Sequence, residues 1–308
     1  MKHKLDFKAL VPYMGLIAIV LIFSIASGNE LLSPRNIKVI VNQMLIIMIG
    51  ALGTSFVLAI GKLDFSLGSL VGVTATVGCL VSKSFGIIPA LLAVLVIGAL
   101  TGILIGGLHA AFQLNPFIIS ITVLFMYRGL TWILNNDGSI ALPIAMYKYD
   151  KLSYRVIIAL LVLVIVFLLF NKTKFGKYCK AVGSGEMAAL QSGVPVNRVK
   201  IIAYSISGLF GGLCGLLSLI RSGTSFTTTG QMFETEVLIA LVLGGMPLSG
   251  GSKARVRAAV IGALSLAVLG NGLVLCGVDA KLQEGIEGII LLLIVALSYE
   301  RANVAVID

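Results

Sequence analysis

The sequence predicts an all-α fold, a polytopic transmembrane helical bundle of about ten spans. Hydrophobic residues make up 58% of its 308 residues and charged residues only 12%, whereas a soluble domain carries about 25% charged residues. The apolar residues fall into about ten runs, and about 20 helical residues cross a bilayer core. The basic residues cluster between runs, as in the cytoplasmic loops of membrane proteins.

Each apolar run predicts one membrane-spanning helix. The runs are Val11–Ser27, Asn36–Ile60, Leu67–Val81, Pro89–Phe112, Phe117–Leu134, Tyr154–Phe170, Ile201–Ile220, Phe233–Met246, Val256–Leu275 and Leu282–Leu297. Several are short, so we expect some to be tilted, broken or only partly spanning. The basic residues Lys2, His3 and Lys4 precede the first run as in a signal peptide, but we predict a retained first helix because many spans follow.

The distribution of charge predicts the topology. With the N-terminus inside and ten alternating spans, the most basic loop, Asn171–Lys200, falls on the cytoplasmic side, as the positive-inside rule requires. Both termini are then cytoplasmic. This bias explains the net charge of +10. No long basic run interleaved with aromatic residues occurs, so we expect contacts with lipid and none with nucleic acid.

Glycine is frequent inside the predicted spans. Two runs carry four each: Gly98, Gly102, Gly106 and Gly107 in one, and Gly208, Gly211, Gly212 and Gly215 in the other. Small residues allow helices in lipid to approach closely. We therefore favour close packing over a hinge as their role.

A similarity between two segments of the chain, called the echo segments here, suggests two pseudo-repeats. Leu58–Ser69 and Leu241–Ser252 align without gaps, and Leu, Gly and Ser coincide at several positions. Transporters are often built from repeats, and these would be parallel. Chance similarity between Gly/Ser-rich turns is the alternative.

The basic loop contains a predicted short helix. Ser184 is placed to cap a helix through Leu190, with Glu186 near its positive N-terminal end. Gly193 fits the C-terminus and Pro195 prevents continuation. Such a helix is either a rigid knob for a cytoplasmic partner or an ordinary loop helix on the membrane surface, and the residues alone leave both open.

Few residues offer chemistry. The cysteines Cys79, Cys179, Cys214 and Cys276 are isolated, and the histidines are His3 and His109, so we expect no metal site, disulfide framework or catalytic residue. His109 is expected to be a satisfied packing residue. The phosphate-binding pattern G-x-x-x-x-G-K-[ST] does not occur in this sequence, so the chain is not predicted to be an ATPase or another enzyme.

Polar residues in the spans are candidates for a solute pathway. We favour Asp64 as a cap at Ser66 or Leu67 over a gate, at the cytoplasmic end of its span. Asn42, Asn115 and Asn271 are the preferred pathway candidates, because neutral amides suit a polyhydroxylated solute. Arg128 is expected near the outer end of its span, where its stem can snorkel.

Four stretches resemble the binding-protein-dependent ABC sugar importer permeases of the ribose, xylose, galactose and autoinducer-2 group. They are the loop pattern Phe175-Gly176-Lys177 with Ala181-Val182-Gly183, Glu186, Ala188-Ala189 and Ser192-Gly193-Val194; the signature Gly61–Ser69; Asn115–Ile118; and Leu243–Gly251 followed by Asn271-Gly272-Leu273. Lys62 departs from this pattern at a position usually held by Gly. Met246 and Pro247 also depart.

The resemblance implies a permease subunit of an ATP-binding-cassette importer. Residues 1–308 would form one permease domain: 1–134 the first half of the bundle, 135–153 an outer loop, 171–200 the cytoplasmic loop with the coupling helix and 201–308 the second half. The implied coupling residues are Gly183, Ser184, Glu186, Ala188, Ala189 and Gly193. The implied structural signature is Gly61, Asp64, Ser66, Gly68, Gly244, Gly245, Gly250 and Gly251.

The same resemblance implies partners and a location. ATP and Mg would be bound by an ABC ATP-binding subunit, with Glu186 contacting it. An extracytoplasmic solute-binding protein would land on the outer loop together with Arg221–Gln231, and a second permease copy or a homologous permease would complete a dimer in the bacterial inner membrane. The residues also allow a secondary transporter driven by an ion gradient, or less readily a membrane-embedded enzyme.

Overall fold

The computed structural model describes residues 7–136 and 138–298. The basic N-terminal residues Lys2, His3 and Lys4, together with Asp137 and residues 299–308, lie outside this range. The helices are α1 Phe7–Ala26, α2 Pro34–Ala59, α3 Leu67–Phe85, α4 Ile87–Phe112, α5 Pro116–Leu134, α6 Leu152–Lys172, α7 Lys174–Ser184, α8 Glu186–Gln191, α9 Val196–Ser222, α10 Phe233–Leu243, α11 Arg257–Leu275 and α12 Ala280–Ser298. Short 3-10 turns cover Glu30–Leu32, Ile144–Tyr149 and Gly251–Lys253, and strands β1 Ser139–Ala141 and β2 Thr224–Phe226 form one sheet.

Each predicted span coincides with one helix. In the described part of the chain, seven of these helices (α2–α6, α9 and α11) are long and apolar enough to cross a membrane. In α1 the apolar stretch is Leu10–Ala26, and α10 has 11 residues, or about 16 Å. The chain is thus a mostly helical multi-pass membrane protein, and the count of about ten spans stays a prediction.

The lipid-facing surface lies mainly on α1, α4, α5 and α6. Large apolar side chains such as Ile88, Phe125 and Leu161 are more than half exposed there. In a bundle this apolar, such exposure suits acyl chains because lipid tails contact apolar side chains without cost.

The predicted close packing of glycines is confirmed between α4 and α9. A Cβ at Gly98 would collide with the backbone of Gly208, and one at Gly102 with the backbone of Tyr204. Gly211 and Gly215 of α9 face α3 in the same manner. Gly107 is the exception, because a Cβ there would meet nothing within 4 Å. Glycine therefore lets α9 lie in the centre of the bundle, against α2, α3 and α4.

The bundle has two distinct ends. The one that carries α7 and α8 is called the basic end here, and the one that carries the sheet is called the hairpin end. In the sheet, β1 pairs antiparallel with β2, with Ile140 opposite Ser225. The sheet joins the two segments predicted to form one landing surface, 135–153 and Arg221–Gln231.

A glycine junction at the basic end as candidate coupling site

Helix α7 is fixed beneath α2 and α6 by aromatic residues. Thr173 caps it by accepting a hydrogen bond from the Gly176 backbone N–H. Phe175 stacks on Phe56 at 5.5 Å between ring centroids, and Phe56 meets Phe170 edge-on at 5.3 Å. Gly176 lies against the backbone of Phe170, where a Cβ would not fit. Sequence analysis did not predict this helix, and Phe175 and Gly176 of the loop pattern now have a structural role.

Three signature glycines, Gly61, Gly250 and Gly251, meet Gly183 of the basic loop at one point, called the glycine junction here. A Cβ on Gly61 would come within 2.8 Å of the Ser249 carbonyl oxygen, and one on Gly250 within 2.5 Å of that of Leu58. A Cβ on Gly183 would lie 2.6 Å from the Gly251 amide nitrogen. The two echo segments and the basic loop thus touch backbone to backbone, which only residues without a side chain allow.

The predicted helix from Ser184 to Leu190 is wrong at its start. Ser184 ends α7, and its hydroxyl donates to the Lys180 carbonyl at 2.9 Å while accepting from the Ser252 amide at 3.1 Å. Gly185 separates the two helices with ψ 104°, outside the helical range. Ser184 is therefore a tether to the second echo segment and not the cap of α8.

Helix α8 ends as predicted. Gly193 has φ +78° and donates to the Leu190 carbonyl, while Val194 donates to that of Ala189. This pattern is a Schellman motif, in which a left-handed glycine satisfies the last carbonyls of a helix. Glu186 lies in the first turn, also as predicted.

The outward face of α8 is small and apolar. Met187 is 68% exposed and Leu190 56% exposed, with Ala188 exposed between them. Ala189 is buried and packs inward. Sequence analysis missed Met187 and Leu190, although two large apolar residues in an otherwise polar loop were a usable signal.

Glu186 forms an ion cluster within the chain. Its carboxylate accepts from Lys200 Nζ at 2.5 Å and lies 3.9 Å from Lys62 Nζ. Burial alone would raise the pKa of Glu186, but the hydrogen bond and charge of Lys200 and the charge of Lys62 outweigh it and hold the pKa below its usual value. The carboxylate links α8 to α9 and to the Gly61–Ser66 segment while its side chain stays 41% exposed, and its contact with an ATP-binding subunit stays a prediction. Lys62 thereby has a structural role in this chain.

Asp64 caps the start of α3, as predicted. It accepts from the Ser66 backbone N–H at 3.0 Å, from the Ser66 hydroxyl at 2.6 Å and from the Ser207 hydroxyl at 3.3 Å. Its position is deeper than predicted, because it is 3% exposed and Ser207 lies about 17 Å along α9 from the basic end. The Gly61–Ser66 segment thus enters the bundle as non-helical backbone, which is tolerated where it is buried in protein.

The remaining signature glycines also mark close approaches. Gly68 lies against the carboxylate of Glu234 and the backbone of Gly230. Gly244 meets the backbone of Ala258, and Gly245 has φ +85° beside Pro12. All three pack an echo segment against another element.

Arg128 does not snorkel as expected. Its guanidinium donates to the carbonyls of Thr229 and Gly230 at 2.9 and 2.7 Å and lies 3.9 Å from the Glu234 carboxylate. It thereby holds the segment before α10 against α5. The signal available in the sequence was an arginine inside an apolar run, six residues before its end.

The three pathway candidates lie apart. Asn115 is exposed and caps α5 by accepting from the Phe117 amide at 3.0 Å. Asn271 is buried and accepts from Asn36 Nδ2 at 2.7 Å. Asn42 donates to the Lys38 carbonyl on its own helix. Their role in a pathway stays a prediction. His109 bonds the Leu114 carbonyl through Nδ1, but among the described residues its buried Nε2 has no partner, so it is only half satisfied.

Non-helical backbone buried inside a multi-pass bundle, here the Gly61–Ser66 segment, is a feature of membrane transport proteins. The chain belongs to the family described as branched-chain amino acid transport system / permease component, which matches residues 36–295.

Relatives cover nearly the whole chain. It is 33% identical to the ribose import permease protein RbsC of Bacillus subtilis (strain 168), over 94% of this chain and 92% of that protein. It is 31% identical to the ribose import permease protein RbsC of Escherichia coli (strain K12), over 96% of this chain and 94% of that protein. It is 29% identical to the fructose import permease protein FrcC of Rhizobium meliloti, over 96% of this chain and 87% of that protein. No solved structure matches the chain with significant similarity.

Proposed function

We propose that the chain is the permease subunit of an ATP-binding-cassette importer and forms the transmembrane pathway for a small polar solute, a sugar. The proposal rests on the membership of the permease family and on relatives named for the import of ribose and fructose. The observation that carries the mechanism is the exposed apolar face of α8 joined rigidly to the glycine junction.

The proposed setting is the bacterial inner membrane, with the basic end and both termini in the cytoplasm. ATP and Mg would be bound by an ABC ATP-binding subunit docked on α8, with Met187 and Leu190 in its cleft and Ala188 allowing close approach. A second permease copy or a homologous permease would complete the pathway. An extracytoplasmic solute-binding protein would land on the hairpin end and deliver the solute.

Movement of α8 would reach the bundle through three connections. Glu186 pairs with Lys200 and Lys62, Ser184 bonds the Ser252 amide, and the glycine junction leaves no space for independent movement. Alternating access is a shift between two packings, which a partner can bias only by binding them differently. Nucleotide-driven closure of the ATPase would therefore displace α8, the Gly61–Ser66 segment and the α10–α11 connection together.

The test replaces the exposed face of α8. Met187→Asp and Leu190→Asp should abolish co-purification of the ATP-binding subunit and ATP-dependent sugar uptake, because each places a charge in a desolvated contact. Gln191→Asp, on the same exposed helix, is the matched control and should reduce neither measurement by more than about twofold. Protein levels in the membrane are compared throughout.

Two outcomes would contradict the proposal. Retention of ATPase binding by both apolar variants would remove α8 as the docking site. Uptake that collapses with an uncoupler while ATP is held constant would replace the ATP-driven importer by an ion-coupled secondary transporter.

A further inference from the structure

A polar cavity of about 280 Å³ lies away from the glycine junction, between α2, α9, α10, α11 and α12. Seven polar side chains line it: Gln43, Ser218, Arg221, Gln231, Glu236, Gln283 and Glu287. Arg221 and Gln231 are exposed and the other polar side chains are half-buried, so the cavity is open to solvent and to a polar solute.

Most of these side chains have unused hydrogen-bonding capacity. Gln283 donates to Glu287 at 3.2 Å. The side chains of Gln43, Arg221, Gln231 and Glu236 have no hydrogen-bond partner in residues 7–136 and 138–298. Two amides, a guanidinium and a carboxylate thus share one space with their donors and acceptors available. None of these four side chains joins two helices through a hydrogen bond in the described residues, so all four can bind a solute in the cavity.

The walls of the cavity fit a compact ring. Phe233, Ile46 and Ile47 supply apolar surface beside the polar groups, which is the mixture found in small-molecule sites. Gly270 keeps the α11 wall open, because a Cβ there would lie 2.8 Å from Gln283 Nε2. The volume is near the lower limit of about 300–1,000 Å³ for such sites. It suits a monosaccharide and is too small for an oligosaccharide.

The larger cleft on the molecule has a different character. It has a volume of about 600 Å³ and lies between α1, α6 and α11, where Leu163, Phe167 and Val260 line it. These apolar walls suit lipid tails, and the polar lining residues Asn171, Arg255 and Arg257 lie at the basic end, away from the proposed point of solute delivery.

The cavity also lies where a delivered solute would arrive. Arg221 is in the last turn of α9, three residues before β2, and Gln231 lies in the turn between β2 and α10. Both residues therefore connect the cavity to the hairpin end, on which we propose that the solute-binding protein lands.

We infer that this cavity binds the transported solute, a neutral monosaccharide, through Gln43 and Glu236 as principal contacts. The inference rests on the proposed function. Amide groups donate to and accept from sugar hydroxyls, and the carboxylate accepts from two hydroxyls at once. Gln43 takes the place of Asn42, because neighbouring residues on a helix point about 100° apart and only Gln43 faces the cavity.

The experiment measures uptake of radiolabelled ribose, fructose and galactose in cells that carry the complete importer. Gln43→Ala and Glu236→Gln should each lower the maximal uptake rate about fivefold to tenfold, the value of one or two lost hydrogen bonds. Gln191→Ala, which removes an exposed amide outside the cavity, is the matched comparison and should change the rate less than twofold. Binding of the ATP-binding subunit should be unchanged in all three variants.

A second measurement reports on the site itself. With Cys276→Ser removing the exposed cysteine, Gln43→Cys should react with a small thiol reagent, and the transported sugar should slow that reaction at least threefold. Normal uptake by both cavity variants, or labelling that no sugar slows, would overturn the cavity assignment alone. Wild-type cells that import none of the sugars by an ATP-dependent route would instead overturn the proposed function.

Discussion

Among single residues, the glycine junction depends most directly on the absence of side chains. Gly250 has φ +68°, and a Cβ there would approach the Leu58 and Ala59 carbonyl oxygens to within 2.6 Å. A left-handed backbone and a closed space both exclude other residues. The three segments at the basic end can therefore approach one another only with glycine at this position.

We expect Gly250→Ala to destabilise the protein by at least about 2 kcal/mol, because the backbone strain adds to the overlap with fixed carbonyl oxygens. Gly28→Ala is the matched control, since Gly28 has φ +60° but open space around it, and it should cost about 1 kcal/mol or less. Thermal unfolding in detergent compares the two. Equal losses would show that the backbone conformation alone matters and that the contact contributes nothing.

The role of a single residue could be predicted from the sequence where its partner is a near neighbour along the chain. Asp64 was predicted as a cap from its position two residues before Ser66, and that local pattern was sufficient. The roles of Gln43 and Glu186 were harder to predict. The cavity beside Gln43 is lined by several helices, and the partner of Glu186 lies on another helix. A polar residue on an apolar run indicates that a partner exists but does not identify it.

Among the elements, α9 depends on its glycine faces. The α4 and α9 backbones touch at Gly98 and Gly208, which places α9 in the centre of the bundle. Dispersion contacts of this kind drive helix association in lipid, where the hydrophobic effect does not.

Two alanine substitutions on α4 separate packing from helix propensity. Gly98→Ala should lower stability by about 1–3 kcal/mol, because its Cβ overlaps the Gly208 backbone. Gly107→Ala should leave stability unchanged or raise it by up to about 1 kcal/mol, because its Cβ meets open space and alanine is the better helix former. Melting temperatures measured in the same detergent provide the comparison. A stable Gly98→Ala protein would contradict the packing role.

The elements that were predicted are those that local patterns determine. Apolar runs locate ten helices because each run has the length and composition of one. The break between α7 and α8 was missed because the tether from Ser184 to Ser252 is a tertiary contact. Local capping rules alone favoured a helix starting at Ser184.

For the whole molecule, the orientation in the membrane can be tested with native cysteines. Cys276 is exposed beyond α11, on the proposed extracytoplasmic side. Cys79, Cys179 and Cys214 are buried. Burial also raises the pKa of the Cys179 thiol to about 12, which suppresses the reactive thiolate.

An impermeant maleimide should therefore label the protein in intact cells at Cys276, and Cys276→Ser should remove most of the signal. Mass spectrometry identifies the labelled residue. Labelling only in inside-out vesicles would reverse the proposed orientation and place the basic end outside the cell.

In the proposed orientation, the β1–β2 pair has a consequence for the docking of the proposed solute-binding protein. It fastens a loop of the first half of the chain to a loop of the second half, so neither has to be frozen when a soluble protein arrives. Immobilising each flexible side chain costs an incoming protein about 0.5–1.5 kcal/mol. A preorganised binding surface avoids part of this loss. Because both loops contact the bound protein, a change in the spacing of the two halves would also change its contacts.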